Sequence, residues 1–186
     1  MATIVSHAVI AFTLGKVFPG KEINSRVLTA GTVMAMMPDA DVIGFGMGIP
    51  YESMWGHRGF THSVLFALLF SLIITQLFSM KSKYQPGSFL KVSLFLFFAT
   101  LSHGLIDAMT TGGLGVGFFI PFSPERYFFE YRPVLVSRIG FDGLLGPWAI
   151  AVYKSEFRYL ILPCLVILVL SAILKKRLNG TKGSHY

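Results

Sequence analysis

The sequence predicts an all-α, polytopic membrane protein with about five membrane-embedded helices and a long Gly/Pro/aromatic loop before the last one. Three observations carry this. The 186-residue chain is 53% hydrophobic and only 13% charged, with a mean hydropathy of +0.64. Such a chain is too apolar for an ordinary soluble domain. Val64–Met80, Phe89 to about Leu101 and Tyr159–Leu174 are apolar runs with few or no charges. The first and last, with their flanks, approach the roughly 17–25 residues a spanning helix needs. The basic residues gather in the turns between these runs, so the net charge of +7 reads as membrane topology and no nucleic-acid partner is expected.

In chain order, Thr3–Val17 reads as a helix capped by Thr3 or Ser6, with His7 near its start. No basic segment precedes its apolar residues, so it lacks a signal-peptide layout. Phe18–Glu22 is a turn. Val27–Met37 is a second short apolar helix, stopped by Pro38. Asp39-Ala40-Asp41 and a Gly-rich loop then lead to the polar cluster Trp55–Ser63. Val64–Met80 spans, Lys81–Pro86 turns, and Phe89–Thr110 is the next helix, with His103 and Asp107 in its later half. Residues 112–157 form a connection with two strand-like pieces, Val116–Phe122 and Arg132–Ile139. The last helix, near 158–178, runs into Lys175-Lys176-Arg177 and a polar tail over 179–186, where His185 is assigned no role. The single cysteine, Cys164, lies in that helix and excludes a disulfide framework or a Cys-based zinc site.

The ends of these segments alternate. The basic turns around Lys16–Arg26, Lys81–Lys91 and Lys175 fall on one side, which the positive-inside rule makes cytoplasmic, along with the C-terminus. His7, Asp39, Asp41, His57, His62, His103 and Asp107 fall toward the other side, roughly 14–25 Å up at 1.5 Å per helical residue. Ionisable groups at that depth are functional by default.

Their spacing points to metal ions. His103 and Asp107 stand one helical turn apart and project from one face. Asp39 and Asp41, in an extended segment, would point the same way. His57 and His62 flank Gly59, where a backbone bend lets both rings converge. Imidazole and carboxylate without thiolate suit zinc, manganese or iron. Seven ligands exceed one tetrahedral centre and suit two ions, zinc first and manganese second, which could clamp an in-line displacement. Asp41, and with it Asp39, is the candidate catalytic carboxylate. Arg58, Arg126 and Arg132 are candidates to hold phosphate oxygens.

The string His57-Arg58-Gly59-Phe60-Thr61-His62-Ser63 resembles the hallmark of the bacterial inner-membrane family called membrane-bound metal-dependent hydrolases, including its LexA-regulated members. The likeness extends to Ser6-His7, Met37–Asp41, Ser102–Thr110 and Pro121–Phe129. More distantly, the His103/Asp107 pair is similar to a ligand pair of the zinc phospholipase C and single-strand nuclease superfamily. That superfamily is all-helical and hydrolyses phosphate esters with three zinc ions. This chain departs from it in having no N-terminal tryptophan and fewer histidines, which is why two ions are expected. The resemblance implies a metal-dependent hydrolase of the bacterial inner membrane, and the depth of the site implies a lipid phosphate ester as substrate. An ion-coupled transporter and a non-catalytic membrane scaffold are the alternatives. Gly-x-Ser-x-Gly and His-Glu-x-x-His are both missing, which disfavours serine and metalloprotease readings.

Overall fold

A computed structural model describes residues 1–82, 84–140 and 145–182, without the side chains of residues 82 and 178–182. Lys83 and His185 therefore lie outside the described residues. The chain folds into α1 (Ile4–Val17), α2 (Ser25–Met34), a 3-10 turn (Met37–Val42) leading into a single-turn α3 (Ile43–Gly46), a second 3-10 turn (Phe60–His62), α4 (Val64–Ser82), α5 (Pro86–Ala108), α6 (Pro147–Glu156) and α7 (Leu162–Lys182). The π-helical turn Phe157–Ile161 joins α6 to α7 without a break.

Three of these helical stretches are long and apolar enough to cross a bilayer: Val64–Lys81, Pro86–Ala108 and the continuous Pro147–Arg177. At 14 residues, α1 is about 21 Å long, short of the roughly 30 Å hydrocarbon core. The chain is a polytopic helical membrane protein. Helix starts follow local chemistry. Asn24 caps α2 by accepting from the Arg26 and Val27 amides, and Pro86 and Pro147 open α5 and α6.

α5 is the axis of the bundle, packed by α1, α2 and α4. Its Phe95 and Leu96 sit in a core with Ala11, Val27, Leu28, Met34, Val92 and Ala99. Gly15 and Gly31 let α1 and α2 approach closely, because a Cβ at either would run into the Phe95 ring. Several hydroxyls inside the spans donate to carbonyls of their own helix, as Thr75 does to Ser71 and Thr100 to Leu96, which satisfies their protons locally. Leu68, Leu69, Ile73 and Leu77 on α4, with Val166, Val169, Leu170 and Ile173 on α7, remain uncovered by protein. That belt suits lipid as its solvent.

The basic ends meet at one end of the bundle. Lys175 donates to the Lys16 carbonyl at 2.9 Å, and Lys91 pairs with Glu22 at 3.1 Å. The other end carries the start of α1, the end of α5 and the loops before α4 and α6.

Three expectations need correction. The strand-like pieces Val116–Phe122 and Arg132–Ile139 do not form strands. Among the described residues they make only isolated bridges, Val116 with Tyr127 and Val134 with Thr110, because glycines and prolines interrupt any longer ladder. The last helix starts at Pro147, twelve residues before the apolar run that begins at Tyr159, so the connection that follows residue 111 is shorter than expected. Asp39 and Asp41 lie in a 3-10 turn, where neighbours two apart do not share a face, and they point to different partners.

Candidate metal centre

Four segments deliver the polar side chains to one buried cluster. α2 ends at Met34, three residues short of the expected Met37, and Pro38 opens the 3-10 turn in which Asp39 is buried. The loop before α4 folds on itself around two glycines. A Cβ on Gly59 would strike the Met54 carbonyl, and one on Gly56 the carbonyls of Pro50 and Tyr51. The left-handed residue is the neighbouring Arg58, at φ 63°, and not Gly59. Arg58 is held there from every side. Its amide donates to Asp41 Oδ2 at 3.1 Å and its carbonyl accepts from Gly117 at 2.9 Å. Such a conformation in a non-glycine residue persists only where the surroundings determine it, and it is a frequent mark of functional sites.

Asp39 Oδ1, His62 Nε2, His103 Nε2 and Asp107 Oδ2 converge. Asp39 Oδ1 lies 3.2 Å from His103 Nε2 and 3.7 Å from His62 Nε2; Asp107 Oδ2 lies 3.7 Å from His62 Nε2 and 4.0 Å from His103 Nε2. A tetrahedral ion with bonds of about 2.1 Å needs donor–donor edges of about 3.4 Å. The four separations bracket that value.

The hydrogen bonds leave these same atoms free. His103 Nδ1 donates to the Ala35 carbonyl at 2.7 Å, which puts the lone pair on Nε2. His62 Nδ1 lies 3.0 Å from Thr61 Oγ1 and 3.3 Å from Asp41 Oδ2. Because Thr61 donates its own proton to Asp41 at 2.8 Å, the His62 Nδ1 proton faces acceptors and Nε2 again carries the lone pair. Asp39 Oδ1 and Oδ2, His62 Nε2, His103 Nε2 and Asp107 Oδ2 are all buried with no hydrogen-bond partner. Buried polar atoms without partners are costly, and a cation satisfies them together. Asp39, Asp41 and Asp107 bring three negative charges, against which Arg58, 3.0 Å from Asp107 Oδ2, supplies one positive side chain.

Electrostatics of the metal-free cluster agree. Burial lowers the pKa of His62, but Asp39 and Asp41 outweigh it and push it up to about 9. Burial raises Asp39, yet His103 and His62 hold it well below the usual carboxylate range. Asp41 is likewise raised by burial and, on balance, held low by His57 and His62. In the absence of a metal, a proton on His62 takes the place of the cation.

The remaining sequence-predicted residues take different places. Asp41 stands behind His62, with Oδ1 accepting from His57 Nδ1 at 2.7 Å. Asp41, His57 and His62 form a second group of possible ligands. Both oxygens of Asp41 are already engaged within it, however, and His62 can offer only its other nitrogen. His57 Nε2 is buried and unpartnered. His7 stacks on His103, with ring centroids 3.7 Å apart, and its Nε2 comes within 3.6 Å of Asp107 Oδ1. Arg58 donates to Gly112 O at 2.8 Å and Thr110 Oγ1 at 2.9 Å as well as facing Asp107, so its guanidinium is fully engaged. Arg126 donates to the carbonyls of His57, Tyr51 and Ser53 and ties the later loop to the histidine loop. Arg132 lies over the Phe128 ring at 4.7 Å and has an exposed side chain.

Sequence reasoning missed Glu156. It is buried at the end of α6 and accepts from Thr3 N, Thr3 Oγ1 and Ser6 Oγ at 2.5, 2.5 and 2.8 Å. It thereby caps α1 from outside, and one residue away the Ala2 amide donates to Asp107 Oδ1 at 2.9 Å. A lone acid beside a long apolar run was the available signal.

Fold and site together define a polytopic helical membrane protein whose bundle encloses a His/Asp cluster able to hold a metal ion. Residues 1–179 match the family described as YdjM inner membrane protein, and the chain belongs to that family. It is similar to inner membrane protein YbcI of Escherichia coli strain K12, with 36% identity over 168 residues that cover 90% of this chain and 95% of the relative. Neither description states an activity. No solved structure matches the chain.

Proposed function

We propose that the protein is a metal-dependent hydrolase of phosphate esters, acting on a lipidic substrate in the inner membrane. The observation that carries this is the convergence of Asp39 Oδ1, His62 Nε2, His103 Nε2 and Asp107 Oδ2, all buried, with Arg58 the one cationic side chain beside them. These four would hold one ion. The sequence suggested two, but the engagement of Asp41 with His57, Thr61 and Arg58 favours a single ion with Asp41 as the carboxylate that orients His62. A divalent ion supplies Lewis acidity toward a phosphoryl oxygen and lowers the pKa of water. Two histidines and two carboxylates without sulfur suit zinc or manganese.

The chain's own residues then divide the work. Asp39 Oδ2, which has no partner, is available to orient a water. The Ala35 carbonyl fixes the His103 ring and Asp41 fixes that of His62. Arg58 holds Asp107 in place and balances its charge instead of meeting substrate. The exposed Arg132 is the arginine of the three whose guanidinium is open to a phosphate. The resemblance to metal-dependent hydrolases supports this reading, since the His57–Ser63 string supplies the His62 ligand and its supporting shell.

The test is hydrolysis of phospholipid and prenyl phosphate substrates by detergent-purified protein loaded with zinc or manganese. Turnover that disappears in His103→Ala supports the proposal. Metal-loaded protein that cleaves neither class contradicts it.

A further inference from the structure

We infer that the substrate reaches the cluster sideways from the bilayer, its hydrocarbon tail lying in an apolar groove between the start of α1 and the end of α2 while its phosphate is presented to the metal centre of which Asp39 is part. This rests on the metal-centre reading above and adds the route and the seat of the substrate's alkyl chain.

The groove has a volume of about 400 Å³ and is lined by Met1, Ile4, Val33, Met36, Met37, Asp39 and Ala40. That volume lies within the roughly 300–1,000 Å³ range of small-molecule sites. Asp39 is its one charged side chain, 7% exposed, with both carboxylate oxygens lacking a partner. Asp39 is also a member of the four-donor set, 3.2 Å from His103. The groove therefore runs from the outer surface of the bundle, where Ile4, Val33 and Met37 are exposed, down to a donor atom of the centre. The remaining donors are shut in: His62, His103 and Asp107 are each no more than 3% exposed. A larger cleft of about 620 Å³ between α2 and α4, lined by Ala30, Ile74, Leu77, Phe78, Met80 and Lys81, reaches none of them.

The chemistry of the lining selects the ligand. A hydrated, tail-less phosphate ester would lose water against Ile4, Val33, Met36 and Met37 without any hydrogen bond from those side chains in return. An alkyl chain moves from bilayer to groove at almost no cost, because lipid tails are as apolar as the lining. The two methionines adapt to an irregular chain. The groove should thus act through its room for the tail, and filling it should matter more than changing its hydrophobicity.

The experiment uses the full-length protein in detergent, loaded with zinc, and a long-chain alkyl phosphonate carrying a photoreactive diazirine in mid-chain as a non-hydrolysable probe. The labelled residues are mapped by peptide mass spectrometry. Labelling should fall on Ile4, Val33, Met36 and Met37 and drop at least tenfold on chelation. In Val33→Trp, which adds bulk at an exposed lining position, labelling should drop as far while the metal content stays unchanged. Labelling that ignores chelation, or falls in the α2–α4 cleft, overturns this route and leaves the metal centre standing. Protein that takes up no metal overturns the metal centre and this inference with it.

Discussion

Substituting Asp41 by asparagine separates one-ion from two-ion readings of the cluster. Asp41 accepts on Oδ1 from His57 Nδ1 at 2.7 Å and on Oδ2 from Thr61 at 2.8 Å and the Arg58 amide at 3.1 Å, with His62 Nδ1 at 3.3 Å. Every partner donates to the carboxylate, so the amide group of asparagine either faces the Arg58 N–H, donor against donor, or forces the His57 ring into its other tautomer. His62 then loses the carboxylate that fixes its tautomer and aims Nε2 at the centre. Loss of such a supporting group weakens metal binding by about 10–100-fold, or about 1.4–2.8 kcal/mol. The assay is a zinc titration against a competing chelator, with metal content measured on the same sample. One ion per chain should be retained in Asp41→Asn, at an affinity lowered by that factor. An unchanged affinity would refute the orienting role. A fall from two ions to one would show Asp41 to be a ligand.

Other consequences follow from the same geometry. Gly59→Ala should abolish tight zinc binding, because its Cβ meets the Met54 carbonyl and displaces the loop carrying His57 and His62; metal content of the purified variant reads this out. Glu156→Leu strands the Thr3 amide and the Thr3 and Ser6 hydroxyls at about 1–3 kcal/mol each, so thermal unfolding in detergent should occur at a clearly lower temperature than in the wild type. The pH dependence takes its sign from His62, whose pKa is raised from 6.5 to about 9 in the metal-free protein. A group raised on folding stabilises fully below its unfolded value and stops doing so as pH rises through the folded one. The metal-free protein should therefore lose on the order of 3 kcal/mol between about pH 6.5 and 9, and the zinc-loaded protein, in which that site is closed to the proton, should not. Melting curves across that range, with and without zinc, check it.

How far the sequence could be read depended on the range of the interaction involved. α4 and α5 were legible because an uninterrupted apolar run and Pro86 are local signals. The cluster was legible because histidine and aspartate stand out in an apolar chain, and His103 and Asp107 share a face through helical periodicity alone. The start of α6 was hidden by Lys154 and Glu156, which break the hydropathy although Gly146-Pro147 is a sound helix opening. The role of Glu156 depends on Thr3 and Ser6, about 150 residues away, which no local pattern reveals. Arg58 has the composition of a phosphate ligand, and only the packing of Gly117, Thr110 and Asp107 around it shows a structural cation. Asp39 and Asp41 lie in a 3-10 turn and not an extended segment, and the partners that hold Asp41 there, His57, Arg58 and Thr61, come from 16 to 20 residues away.

The central claim is that four side chains from three separate stretches of the chain hold one divalent ion inside the bundle. Elemental analysis of the membrane-extracted wild-type protein, beside His103→Ala prepared in the same way, tests it most directly. One zinc or manganese per wild-type chain and a background level in the variant are expected. Equal metal in both, or none above background in the wild type, would contradict it.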